Sequence, residues 1–271
     1  MTDRYAVFGN PVAHSKSPQI HTLFARQTGE DISYDAILGP VEGFESSVRD
    51  FIVKGGRGAN VTVPFKEEAF RLSTQQTERA KAAKAVNTLI FSAREIVGDN
   101  TDGAGLVTDI QVSQKFLIAG KRLLLIGAGG AARGVIVPLL NESPLSLSIA
   151  NRTANKARRL AAEFSDDTHG ALDSQSFAQL AAQSFDLIIN ATSAGLDNAV
   201  LPLPKSIFAP GCLAYEMVYG RDTPFMQLAR ESKARVSDGL GMLVEQAAEA
   251  FYVWRGVRPD TALVLQSLRH A

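Results

Sequence analysis

The stretch that most narrows the possible folds is Leu123-Leu124-Leu125-Ile126 followed at once by Gly127-Ala128-Gly129-Gly130-Ala131-Ala132. Four apolar residues in unbroken succession suit a strand buried on both faces, as the strands of a parallel sheet are. The run behind them fits G-x-G-x-x-A at a strand-to-helix junction. Its first glycine permits a tight turn, its second lets backbone approach a pyrophosphate, and the small third position lets helix and strand pack closely. A helix over Ala131–Leu140, a strand over Leu145–Ala150, a helix over Thr153–Phe164 and a strand over Leu187–Asn190 complete a βαβαβ unit, half of a doubly wound fold. Further strands are expected over Leu213–Met217 and Ala234–Val236, with a helix over Thr223–Ser232 between them. Residues 123–140 hold a single charge, Arg133, but Gly127, Gly129, Gly130, Gly134 and Pro138 divide them into strand, turn and helix, which argues against a membrane span.

A chain of 271 residues is long enough for two such units. Its 28 basic side chains balance 28 acidic ones, so no net field draws it to nucleic acid or an anionic membrane, and a small-molecule partner is expected. The single Cys212 and four scattered histidines exclude an internal disulfide and leave no ligand set for structural zinc, so no metal is expected. Residues 1–10 carry Asp3 and Arg4 with no continuous apolar run behind them, unlike a signal peptide. A cytoplasmic location is the expectation.

The first hundred residues alternate β-rich runs with helical patterns. Strands are expected at Tyr5–Phe8, Ile32–Leu38 and Ala59–Val63. One helix is expected to start at Ser17-Pro18, with Ser17 as its cap, and to end at Gly29; a second spans Gly43–Lys54 with Phe44, Val48, Phe51 and Ile52 on one face. Leu89–Phe91 and Glu95–Val97 read as a hairpin, and the turn formers of Asp99–Gly103 as a boundary. Two closing helices, Met242–Arg255 and Pro259–Leu268, have no strands of their own to cover and are expected to return to the first domain, making it discontinuous. The expected division is residues 1–102, 103–238 and 239–271.

Where an NAD enzyme carries an acid at the end of the second strand of such a unit, this chain has Asn151-Arg152-Thr153, with Lys156 one turn on. An acid would repel a 2′-phosphate, whereas a guanidinium grips it and a hydroxyl adds a donor, so NADP is the expected cofactor unless Arg152 is only a solvated surface residue. In the first domain Ser15 and Ser17 stand at a strand-to-helix turn. They suit a substrate carboxylate as well as they suit simple capping. Thr62 and Lys66 follow at the end of the third strand.

Taken in order, NPVAHSKSP, NVTVPFK, AVNTL, GDNTDG, GAGGAAR, NRT, NATSAG and DGLGMLVEQA resemble the shikimate dehydrogenase family over nearly the whole chain. The resemblance implies a discontinuous N-terminal α/β substrate domain plus a C-terminal Rossmann-type doubly wound NADP-binding domain. It further implies reversible NADP-dependent reduction of 3-dehydroshikimate to shikimate, a step of aromatic amino-acid biosynthesis. Carried over by position, it makes Lys66 and Asp102 the catalytic pair and Ser15, Ser17, Thr62, Asn87, Asp102, Tyr219 and Gln246 the substrate shell. Cofactor contacts fall to Gly127, Ala128, Gly129, Gly130 and Ala131, to Asn151, Arg152, Thr153 and Lys156, to Ala191, Thr192 and Ser193, and to Met217 and Gly239. The residue chemistry agrees: hydroxyl and amide side chains suit a hydroxylated ring acid, and a lysine can give a proton to the oxygen that hydride addition leaves negative. Two departures are Glu216, where Asp is expected, and Glu245, where a small residue is expected. His14 and His21 receive no role. The alternatives are a broader quinate/shikimate dehydrogenase and a non-catalytic NADP-binding regulator. A monomer and a homodimer fit the sequence equally.

Overall fold

The computed structural model describes residues 2–92, 94–164, 171–192, 194 and 199–269. Packing divides the chain into two α/β units, residues 1–106 with 243–271, and residues 107–242. The chain leaves the first unit one helical turn beyond the turn cluster at Asp99–Gly103, and returns just inside a later helix.

In the first unit β1 (Asp3–Gly9), α1 (Ser17–Thr28), β2 (Ile32–Leu38), α2 (Phe44–Val53), β3 (Gly56–Val61), α3 (Lys66–Leu72), β4 (Gln75–Gln76), α4 (Glu78–Ala83), β5 (Thr88–Phe91) and β6 (Ile96–Asp99) precede α5 (Asp102–Thr108). The sheet order is β2-β1-β3-β5-β6-β4, with β1 parallel to β2 and β3, and β5 antiparallel to β3 and β6. Phe8, Phe44, Phe51 and Phe65 form the centre of its core, Phe44 and Phe65 stacking at 4.7 Å. Helix α1 stops where Gly29 adopts φ 74° and returns its N–H to Ala25, the left-handed cap that glycine enters without a Cβ penalty.

In the second unit α5 runs on into a π-turn at Asp109–Ser113, and then come β7 (Arg122–Ile126), α6 (Gly130–Asn141), β8 (Ser146–Ala150), α7 (Ala154–Glu163), β9 (Leu172–Gln175), β10 (Phe185–Asn190), β11 (Phe208–Glu216), α8 (Pro224–Glu231) and β12 (Arg235–Ser237). The order β12-β11-β10-β7-β8-β9 is parallel throughout. Leu123 to Ile126 are wholly buried, as a central strand covered on both faces requires. Helices α9 (Leu240–Arg255) and α10 (Thr261–Arg269) close the chain, and α10 packs on α1.

The structure differs from the sequence expectation in three places. Ser17 does not cap α1: it is the first helical residue, and Ser15 Oγ accepts its N–H at 3.2 Å. Helices α3 and α4 occupy residues for which no element was expected; α4 is capped by Thr77, whose hydroxyl accepts the Ala80 N–H. Strand β9 falls in a stretch that reads as polar, because only Leu172 of its four residues is buried.

Candidate functional site

The polar centre of the first unit is assembled from the ends of β3, β5 and β6. The chain leaves β3, turns through Thr62–Phe65 and enters α3 with Lys66 as its first residue. Gly9 makes the turn possible, since a Cβ there would lie 2.4 Å from the Thr62 methyl. Lys66 Nζ donates to Asp102 Oδ2 at 2.5 Å, the two side chains being 19% and 7% exposed. Asp102 opens α5, its N–H held by Asn100 Oδ1 at 3.1 Å. Its other oxygen, Oδ1, accepts Asn87 Nδ2 at 2.8 Å. The same amide nitrogen reaches Gln246 Oε1 at 3.3 Å. Gly105 lets α5 approach α9 at this point, because a Cβ would stand 2.6 Å from the Gln246 backbone nitrogen.

Lys66, Asp102, Asn87 and Gln246 thus form one hydrogen-bonded group. Ser15 and Ser17 form a separate local pair ahead of α1, and Thr62 stands on the turn that leads to Lys66. Tyr219 belongs to the loop after β11, in the second unit. Around the first group lies a second layer without sequence-assigned roles: Thr88, Asn60 and Tyr34, all buried. Burial pushes the Tyr34 phenol well above its ordinary pKa, with the neighbouring Ser17 hydroxyl acting in the opposite sense. At the end of β6, Asp99 accepts two bonds from Arg79 at 2.6 Å and one from Thr77. Burial works against that carboxylate, yet the guanidinium and its hydrogen bonds hold its pKa below the usual range.

In the second unit the carboxyl ends of β7, β8 and β10 meet at Gly127. Its N–H donates to Ala150 O at 2.8 Å, while Ala191 N–H donates to Ile126 O at 2.8 Å. Gly127 has φ 127°, a conformation that favours glycine, and a Cβ would lie 3.0 Å from Ala191 O. This is the point where the strand order reverses, the crevice in which doubly wound sheets hold ligands. Gly129 and Gly130 would each place a Cβ in open space. The N-terminus of α6 carries no side-chain cap, so its free N–H groups face that space ready for an anion. Arg152, Thr153 and Lys156 are at the β8–α7 junction, where Asn151 Nδ2 holds Thr153 O at 3.1 Å. Arg152 is exposed and enters no ion pair with any described residue, and a phosphate would supply its missing counter-charge. These features fit a dinucleotide bearing a 2′-phosphate.

Two further loops are tied together by Glu216, a residue without a role in the sequence reading. Fully buried, it accepts Asn190 Nδ2 at 2.8 Å, Thr223 Oγ1 at 2.9 Å and Val218 N–H at 3.1 Å. Asn190 Oδ1 in turn accepts the Thr192 hydroxyl at 2.7 Å. Met217 N–H bonds Asn190 O at 3.0 Å, and Gly239 comes so close to Met217 that a Cβ would lie 2.1 Å from its carbonyl oxygen. The Thr192, Met217 and Gly239 loops therefore form one framework. Ser193 lies outside the described residues. Glu216 was detectable only as a carboxylate at the end of an apolar strand, where an unpaired charge would not be tolerated. Among the described residues no His/Cys/Asp/Glu cluster could hold a metal, and no helix is long and apolar enough to cross a membrane.

A Rossmann-type unit with an open glycine turn, carried on one chain with a unit that holds a Lys–Asp pair able to exchange a proton, defines a class: two-unit oxidoreductases that use a dinucleotide. Residues 7–89 match the shikimate dehydrogenase substrate binding domain, 111–198 the shikimate/quinate 5-dehydrogenase domain and 239–269 the shikimate 5′-dehydrogenase C-terminal domain. The chain belongs to the shikimate dehydrogenase family. The shikimate dehydrogenase (NADP(+)) of Dechloromonas aromatica is 61% identical over 99% of this chain and 98% of its own. Among solved structures, an Ael1 enzyme from Pseudomonas putida superposes with TM-score 0.94 at 48% identity, covering 98% of each chain. Shikimate 5-dehydrogenase from Thermus thermophilus, in complex with NADP(H) and shikimate, gives 0.89 at 32% identity over 99% of each chain.

Proposed function

We propose that this chain interconverts 3-dehydroshikimate and shikimate with NADPH and NADP. The observation that carries the reading is the 2.5 Å bond between Lys66 and Asp102 in a largely buried polar group. The first unit is the substrate domain and the second the cofactor domain. A bound nicotinamide cofactor would supply the hydride as NADPH in the reducing direction and accept it as NADP in the other.

The chain's own residues do the rest. Lys66 lies where an ammonium can neutralise charge on a carbonyl oxygen and give it a proton, and in the reverse direction the amine takes the proton back. Asp102 orients that ammonium with one oxygen and keeps the other for Asn87 and a substrate hydroxyl. Asn87 and Gln246 pair with ring hydroxyls, Ser15, Ser17 and Thr62 receive the carboxylate, and Tyr219 adds a hydroxyl from its loop. Gly127, Ala128, Gly129, Gly130 and Ala131 hold the pyrophosphate, while Asn151, Arg152, Thr153 and Lys156 hold the adenosine end. Ala191, Thr192, Met217 and Gly239 flank the nicotinamide end. An intact Lys–Asp pair speaks against a binding-only regulator, which needs no proton transfer. The balanced charge and the single buried thiol support a cytoplasmic enzyme with small-molecule partners, monomeric or homodimeric.

The test is Lys66→Ala assayed for NADPH formation from shikimate. Turnover is expected to fall roughly 10² to 10⁴-fold, with much less change in substrate affinity. Near-normal turnover would leave the mechanism without its acid.

A further inference from the structure

A single buried chain of hydrogen bonds runs from Tyr34, on the second strand of the first sheet, to Asp102. Tyr34 Oη donates to Asn60 Oδ1 at 2.7 Å. Asn60 Nδ2 reaches Thr88 Oγ1 at 3.1 Å and Asn87 O at 3.2 Å. Thr88 Oγ1 donates to Asn87 Oδ1 at 2.9 Å, and Asn87 Nδ2 donates to Asp102 Oδ1 at 2.8 Å. Every member is buried, Thr88 completely.

The direction of this chain is fixed by its surroundings. Asn87 Oδ1 faces the Thr101 N–H at 2.8 Å, a group that can only donate, while Asn87 Nδ2 faces a carboxylate. The amide therefore has one orientation. Asn60 is fixed likewise, since its Nδ2 faces the Asn87 carbonyl, which can only accept. Between two fixed amides, the Thr88 hydroxyl accepts from Asn60 Nδ2 and donates to Asn87 Oδ1 at 2.9 Å, a closer partner than Thr101 Oγ1 at 3.3 Å. All donors point the same way, toward Asp102, and in a dry interior such bonds polarise one another.

We infer that Thr88 is a positioning residue for the Lys66–Asp102 pair, joining Tyr34 and Asn60 to Asn87 so that the Asn87 amide is held and polarised as a donor to the Asp102 carboxylate. It touches no reacting atom. Its effect passes through Asn87, which donates to Asp102 Oδ1 and so fixes the carboxylate whose Oδ2 orients the Lys66 ammonium. The inference rests on Lys66 being the acid of the reaction.

Thr88→Val keeps the shape and removes both links, leaving an Asn60 proton against a methyl group and Asn87 Oδ1 to the Thr101 groups alone. Steady-state shikimate oxidation should show kcat reduced on the order of tenfold, the scale of a small misplacement of reacting groups, with KM for shikimate little changed. Thr88→Ser, which restores the hydroxyl, should recover most of the turnover. Should Thr88→Val not fold, Tyr34→Phe removes only the far donor and should produce a smaller change in the same direction. A Thr88→Val or Tyr34→Phe enzyme with normal kcat overturns the inference. So does Thr88→Ser behaving like Thr88→Val. Lys66→Ala measured alongside separates the two layers: if it is inactive while Thr88→Val is normal, only the positioning role fails, whereas retained turnover in Lys66→Ala removes the reading beneath it as well.

Discussion

Glu216 accepts the side-chain amide of Asn190 at 2.8 Å, so the carboxyl ends of the adjacent parallel strands β10 and β11 share one buried carboxylate. Burial pushes the Glu216 pKa up, and the donors from Val218, Asn190 and Thr223 oppose that rise. The group is satisfied only as an acceptor.

Glu216→Gln should therefore be harmful despite its near-identical shape. Glutamine offers one acceptor oxygen and turns an NH₂ toward a donor, leaving a buried group unpaired at about 1 to 3 kcal/mol. Urea unfolding should show that loss, and KM for NADP should rise because the Thr192 and Met217 loops lose their common anchor. Unchanged stability together with unchanged KM would show that the framework does not depend on the carboxylate.

Arg152 should decide between cofactors. Arg152→Asp puts negative charge where the 2′-phosphate is expected, and the lost charge-assisted bond should cost NADP on the order of 1 to 3 kcal/mol, several-fold to a hundredfold in affinity. NAD, without that phosphate, should bind almost as before. Equal losses for both cofactors in a binding titration would remove Arg152 from the site.

How far the sequence could be read depended on the length and contrast of each signal. Leu123–Ile126 and the glycines after it were legible because an uninterrupted apolar run and a turn requiring Gly127 at positive φ leave few alternatives. Strand β4, two residues long, and the charged helices α3 and α4 have too few buried positions to make a period. The pairing of Lys66 with Asp102 could not come from spacing, since nothing local brings residues 36 positions apart into contact. It came through resemblance. Thr88 and Glu216 stayed hidden for another reason: their importance lies in which donors and acceptors surround them, a property of the fold and not of their neighbours in the chain.

Asp99 should be a stability determinant next to the polar centre. Its side chain is 4% exposed and takes both arms of Arg79, which also bonds Glu249 at 2.8 Å. Asp99→Asn leaves that guanidinium with Glu249 as its remaining counter-charge and removes charge-assisted bonds worth about 1.5 to 3 kcal/mol. The folded carboxyl pKa is depressed, so its contribution is present above the unfolded value near 3.9 and is lost as pH falls through the folded value. The variant should therefore be less stable at pH 7 and differ less from the parent in acid. A constant difference in urea midpoint from pH 7 to pH 3 would contradict this role.

His21 should make the protein sensitive to mild acid. The ring is fully buried, lies flat on Tyr34 at 4.2 Å and 7°, and sits among Phe24, Phe251 and Trp254. Neither ring nitrogen has a hydrogen-bond partner. Burial lowers its pKa from 6.5 to about 3, with the nearby Asn60 side chain opposing the fall. Between those two values the unfolded chain holds a proton that the folded chain excludes. Stability should thus decline as pH drops below 6.5, by up to about 1.4 kcal/mol for each pH unit, and the decline should end near pH 3. His21→Phe replaces the ring with one that suits an aromatic cluster and has no proton to bind. Its urea midpoint should change less between pH 6.5 and pH 4 than that of the parent, with the two curves converging or crossing toward acid. Parallel curves would mean that His21 stays neutral in the unfolded chain as well, or gains a partner that permits its charge in the folded one.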